Sequence, residues 1–175
     1  LHGDHFFGLV GLISSQNLIG RKKDLHIYSD PRIKEAIDIQ LELSDTELNF
    51  NIIYHPLNFQ EKEVIFEDKK LKLSSFPLDH RVPTCGFVFQ EKKSLPNIDK
   101  KFVKNYNPSI EQIGEIRNGG GFTAKDGQSF THDKLVKPSY EPRSFAYCSD
   151  TKYFEGLSDN FTGVELLYSE CTFMK

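Results

Sequence analysis

Leu1-His2-Gly3-Asp4-His5 puts two imidazoles and a carboxylate within four residues, and a glycine-rich apolar run, Phe6-Phe7-Gly8-Leu9-Val10-Gly11-Leu12-Ile13, follows at once. Imidazole nitrogen and carboxylate oxygen are the donors that suit zinc and its neighbours. Consecutive side chains diverge on a helix or a strand. A tight loop can aim them together, and Gly3 lets the backbone close up there. On such a loop Asp4 and His5 address one ion while His2 addresses a second. The alternative is an exposed polar loop at a chain end.

The 175 residues allow one domain with a sizeable core and argue weakly for two. No apolar run is long enough to cross a bilayer. Cys85, Cys148 and Cys171 are odd in number and widely spaced, so neither a disulfide framework nor a Cys-rich zinc knuckle is indicated, and a reducing cytoplasm is the simplest setting. The net charge of −3 excludes arguing a nucleic-acid partner from the total; a local basic patch is needed.

Working outward, residues 9–19 carry apolar side chains at roughly helical spacing, and Gly20 ends them. Arg21-Lys22-Lys23 reads as a helix-end cluster. Leu25-His26-Ile27-Tyr28 is a buried-strand pattern, and Asp30-Pro31 opens a second helix with Ile33, Ile37 and Leu41 on one stripe. Alternation of strands and helices predicts an α/β protein. Short strands are expected over 51–54, 64–66, 71–76, 84–89, 144–148 and 163–168, with a hairpin turn at Glu67-Asp68-Lys69-Lys70 and another at Asp126-Gly127. Residues 92–118 change character: six Lys and Arg (Lys92, Lys93, Lys100, Lys101, Lys104, Arg117) face three acidic residues, and a helical pattern runs through Phe102, Tyr106, Ile110 and Ile113.

Two later residues join the opening motif. His80 directly follows a predicted strand, in Leu78-Asp79-His80-Arg81-Val82-Pro83; alone it would read as a surface histidine. Asp150 ends the strand Phe145-Ala146-Tyr147-Cys148 and is either the N-cap of a helix over 151–157 or a carboxylate holding two ions through its two oxygens. His26, His55 and His132 lack carboxylate neighbours and are given no role.

His2-Gly3-Asp4-His5 resembles the His-x-His-x-Asp-His signature of the metallo-β-lactamase superfamily. The order of that motif, then His80 before a Gly86-Phe87 strand, then Ser149-Asp150-Thr151, then Ser169-Glu170-Cys171-Thr172, resembles the ribonuclease Z family of tRNA 3′-processing endonucleases over essentially the whole chain. The phrases His2-Gly3-Asp4-His5-Phe6-Phe7-Gly8-Leu9 and Tyr147-Cys148-Ser149-Asp150-Thr151 are specific to that branch. The resemblance implies a partial metallo-β-lactamase αββα sandwich over residues 1–175, with 92–118 inserted as a protruding helical arm that grips tRNA. It implies two zinc ions: His2 and His80 on one, Asp4 and His5 on the other, Asp150 bridging both. Asp4 would also orient or deprotonate the attacking water. A first family histidine would fall before Leu1 and a last one after Lys175, so the chain reads as a fragment. A homodimer formed through 9–19, precursor tRNA as substrate, a cytoplasmic location and no membrane contact complete the implied picture.

Two departures stand out. The family's His-Glu-Ala-Thr is here Ser169-Glu170-Cys171-Thr172, and serine cannot donate a proton at neutral pH as imidazolium can. The arm lacks the family's Gly-Pro, reading Asn107-Pro108-Ser109-Ile110. In the arm the six basic side chains could contact phosphates and Tyr106 could stack on a base; a merely solvated helical hairpin is the alternative. The competing functions are hydrolysis of small esters or phosphodiesters on the same fold, and a non-catalytic fragment that binds tRNA.

Overall fold

The computed structural model describes residues 1–137 and 140–170 and is mixed α/β. Its Cα positions separate into two compact units, Leu1–Glu67 with Lys72–Phe89 and Ser144–Lys175, and Asp68–Leu71 with Gln90–Arg143.

In the first unit the opening motif is not a loop. His2 is extended (φ −117°, ψ 134°) and caps a single helical turn, α1 (Gly3–Phe6), closed by the Phe7 N–H donating to the Gly3 carbonyl at 2.9 Å. The chain continues as α2 (Gly8–Leu18). Alpha-helical rotation would turn Asp4 and His5 about 100° apart, and the extended residue before them is what returns His2 to their side. Helix α2 has no single apolar face: Ile13 is fully buried, whereas Leu12, Leu18 and the following Ile19 are exposed. Strand β1 (Leu25–Ser29), α3 (Ile33–Leu43) and β2 (Ile52–Pro56) form a β-α-β segment, with β1 and β2 parallel from Leu25↔Ile52 to Ser29↔Pro56. Ile33 and Ile37, four apart on one helical stripe, join Ile13, Ile27 and Phe50 in the first core.

A five-stranded sheet has the order β3 (Glu63–Glu67), β4 (Leu71–Leu78), β5 (Thr84–Glu91), β8 (Ser144–Cys148), β9 (Leu166–Ser169), with β8 and β9 parallel. Asp68 Oδ1 accepts from the Lys70 and Leu71 amides at 2.7 Å and closes the β3–β4 turn. Phe76, Leu78, Val88, Ala146 and Cys148 form the second core. Two expected elements differ. No helix starts at Thr151; only a 3-10 turn forms, at Leu157–Phe161, so Asp150 caps nothing. The last strand starts at Leu166 rather than at 163, because Gly163 turns at φ 79°, Val164 tucks against the second core, and the Glu165 carboxylate accepts from the Ser144 amide at 2.6 Å.

The second unit holds α4 (Lys100–Tyr106), α5 (Ile110–Arg117), the hairpin β6 (Phe122–Thr123) and β7 (Ser129–Phe130), and α6 (His132–Leu135). Asp99 caps α4 by accepting from Lys101 and Phe102 amides, Asn107 ends it at φ 42°, and Ser109 with Gln112 makes a capping box on α5. Phe102, Ile116 and Leu135 are its buried core, packed by Tyr106, Phe122 and Phe130. Residues 92–118 thus share a core with the hairpin β6–β7 and with α6. Two side chains expected to meet RNA are spent here. Tyr106 lies against Phe102, Phe122 and Phe130 and donates to Gln128 Oε1 at 3.1 Å. Arg117 donates to the Pro96 and Leu95 carbonyls at 3.1 and 3.3 Å.

Cys85 and Cys148 are buried free thiols, and burial pushes Cys85 up to about 12; Cys171 and Thr172 lie outside the described residues. No described helix is long and apolar enough to cross a membrane. One packing contact is unforgiving: a Cβ at Gly86 would collide with the ring of Phe76, which has no exposed surface into which to move. Gly86→Ala is expected to cost about 1–3 kcal/mol in urea unfolding, and adding Phe76→Leu should return part of that loss.

Candidate metal centre

Strand ends deliver the side chains. His80 stands two residues past β4, and Asp150 two residues past β8. A backbone latch ties the two turns together: the Asp79 amide donates to Thr151 Oγ1 at 3.1 Å, and the Lys152 amide donates to the Asp79 carbonyl at 2.8 Å. The opening turn α1 supplies the rest. Active groups beyond the carboxyl ends of strands are the usual arrangement in open α/β sheets.

The structure brings all five nominated residues together. Asp150 Oδ2 lies 3.2 Å from His5 Nε2 and 3.8 Å from His80 Nε2. Asp4 Oδ1 is 3.5 Å from His2 Nδ1, and its Oδ2 is 3.5 Å from His5 Nε2. Donor atoms of His2, His5 and Asp150 all fall within 4.8 Å of one another. The rings of His2 and His80 meet edge to face at 5.6 Å. Asp4 is the open member, its side chain 73% exposed, against 24% for Asp150 and 23% for His80.

The donor chemistry fits a divalent cation. Donor atoms of two imidazoles and one carboxylate converge, with His80 and Asp4 beside them, and His2 Nδ1 is buried with no hydrogen-bond partner. Its nearest carboxylate oxygen, at 3.5 Å, is beyond a good hydrogen bond. A buried polar atom left this way is costly unless something else takes it up. The Asp150 carboxyl is held below its ordinary range, first by a side-chain hydrogen bond from Glu170, then by the His5 and His80 imidazoles, against partial desolvation.

A cavity of about 250 Å³ opens beside the cluster, with His2, His5, His80 and Asp150 in its wall together with Tyr28 and Asp30. Asp30 is fixed by a two-pronged contact from Arg32, at 2.9 and 2.7 Å, which holds its carboxyl at about 2. Asp30 reads in sequence only as a helix start, and Thr151 only as part of a phrase; neither residue type carries a periodic signal that would reveal its partner. Arg81, whose Nη2 lies 3.3 Å from His2 Nε2, likewise gives no sign of itself before folding. Ser169 ends β9 opposite Cys148. Of the histidines without a role, His26 Nδ1 meets His55 Nε2 at 2.8 Å, and His132 Nδ1–H donates to the Ile116 carbonyl at 2.7 Å.

No family model matches the chain. It is 36% identical over 173 residues to a protein named Ribonuclease Z from Bacteroides fragilis (strain YCH46), covering 99% of this chain and 57% of that protein. It is 38% identical over 173 residues to a Ribonuclease Z of Cytophaga hutchinsonii, covering 98% and 55%, and 35% identical over 175 residues to one of Porphyromonas gingivalis (strain W83), covering 100% and 58%. Among solved structures it is similar to the short form of human tRNase Z, ELAC1, with a TM-score of 0.47 and 30% identity over 53% of this chain and 41% of that one. Along almost its whole length, then, the chain is homologous to proteins named ribonuclease Z, and it spans a little over half of theirs.

Proposed function

We propose that the chain is the part of a metal-dependent, tRNA 3′-processing endoribonuclease that carries most of its metal centre, built on a partial metallo-β-lactamase sandwich. The observation that carries this reading is the position of Asp150 Oδ2 between His5 Nε2 and His80 Nε2, beside the unpartnered Nδ1 of His2. His2 and His80 would hold one zinc, Asp4 and His5 a second, and Asp150 both. When bound, the ion pair supplies acidity to a water and positive charge opposite the phosphate oxygens. Asp4, the exposed carboxylate, orients that water and accepts its proton. The in-line attack breaks the bond from phosphorus to the 3′ oxygen, so the tRNA body keeps a 3′-hydroxyl. Ser169 stands where the family has a histidine, so protonation of the leaving oxygen falls to another group or to solvent.

Residues 92–118, within the second unit, are the tRNA-gripping arm. Lys93, Lys100, Lys101 and Lys104 are exposed there, on and before α4, and would bind phosphates without regard to sequence. The exposed apolar side chains Leu12 and Leu18 of α2 and Ile19 just after it support a homodimer. The setting is the cytoplasm, where precursor tRNA is the substrate.

Three measurements test this reading. In zinc titrations Thr151→Val is expected to weaken affinity about tenfold by loosening the latch, and Asp150→Asn, which faces both positions, to weaken it further; unchanged binding in Asp150→Asn would sink the metal assignment. Replacing Lys93, Lys100, Lys101 and Lys104 together by Ala should lower precursor-tRNA affinity and flatten its salt dependence by roughly 0.7–0.9 per lost contact. Hydrolysis of bis(4-nitrophenyl) phosphate should be untouched by those four changes; equal loss on both substrates would favour a small-phosphodiester hydrolase.

A further inference from the structure

We propose that Arg81 is a substrate-binding residue that holds a non-bridging oxygen of the phosphodiester at the rim of the centre; the inference rests on the proposed metal centre. Arg81 follows His80 in the turn that the latch fixes, so its guanidinium is carried to the cluster by the same backbone. It is exposed, and among the described residues no carboxylate comes within ion-pair reach of it. Asp4 and Asp150 both face imidazoles instead. Among the described residues its side chain makes one hydrogen bond, to His2 Nε2 at 3.3 Å, a long one in which Arg81 donates and the ring accepts.

That contact is one His2 gives up when it serves the centre. The nitrogen turned into the cluster is Nδ1. A cation held there leaves the ring's only proton on Nε2, and an N–H then faces the N–H of Arg81. Two donors repel, so the guanidinium is released just where charge must be met. A guanidinium stays protonated at any working pH and presents a planar fork suited to phosphate oxygens. Asp4 and Asp150 face imidazoles rather than Arg81, which leaves its guanidinium open to a phosphate oxygen.

Arg81→Gln and Arg81→Lys test this in the full chain, with zinc content, thermal midpoint, calorimetric binding of inorganic phosphate and turnover of bis(4-nitrophenyl) phosphate read together. Arg81→Gln should keep zinc and midpoint, lose phosphate affinity about ten- to a hundredfold, and raise KM for the diester with little change in kcat. Arg81→Lys should recover part, since charge remains and the fork does not. Weakening toward phosphate but not toward the diester would mean a free-anion site and would overturn the proposal. So would unchanged phosphate affinity in Arg81→Gln, no phosphate binding by the wild type, or a loss confined to zinc content and midpoint, which would make Arg81 a brace for His2. A wild-type chain that takes up no zinc would defeat the metal reading, and the comparison of phosphate binding with Arg81→Gln would still decide the role of Arg81.

Discussion

Asp150 depends on company. A carboxylate that is three-quarters buried needs compensation, and here two imidazoles and Glu170 provide it. Removing any partner leaves charge in a place that water reaches poorly. The latch between Asp79 and Thr151 follows from this need, because His80 can serve Asp150 only if two turns from different strands stay in step. Sheet order does the coarse work by placing β5 between β4 and β8; two hydrogen bonds do the fine work.

The donors are legible in the sequence because chemistry and local pattern coincide at them. His2, Asp4 and His5 are crowded together, and His80 and Asp150 each follow a strand-like run. Their mutual distances are not legible, since the 69 residues of chain between His80 and Asp150 are closed by contacts no local pattern encodes. The opening motif reads as a loop because glycine and consecutive polar residues favour one; the Phe7 amide bond to Gly3 makes it a helical turn instead. The expected helix at Thr151 fails for a related reason: the Thr151 hydroxyl and the Lys152 amide are engaged by Asp79 rather than by a helix.

In the second unit charged and aromatic side chains take opposite places. Lysines on α4 remain at the surface, as charged side chains must unless paired. Tyr106 goes the other way because its ring finds three phenylalanine neighbours, and burial of an aromatic face outweighs keeping it free. Arg117 shows that a basic residue at a helix end is often claimed by nearby carbonyls before any ligand arrives.

The private core of the second unit has an evolutionary corollary. Phe102, Ile116 and Leu135 stabilise that unit from within, and its helices carry their own caps. Substitutions at its exposed lysines therefore leave that core in place and act on surface charge. The charge this surface presents can in this way drift while the packing beneath it stays fixed.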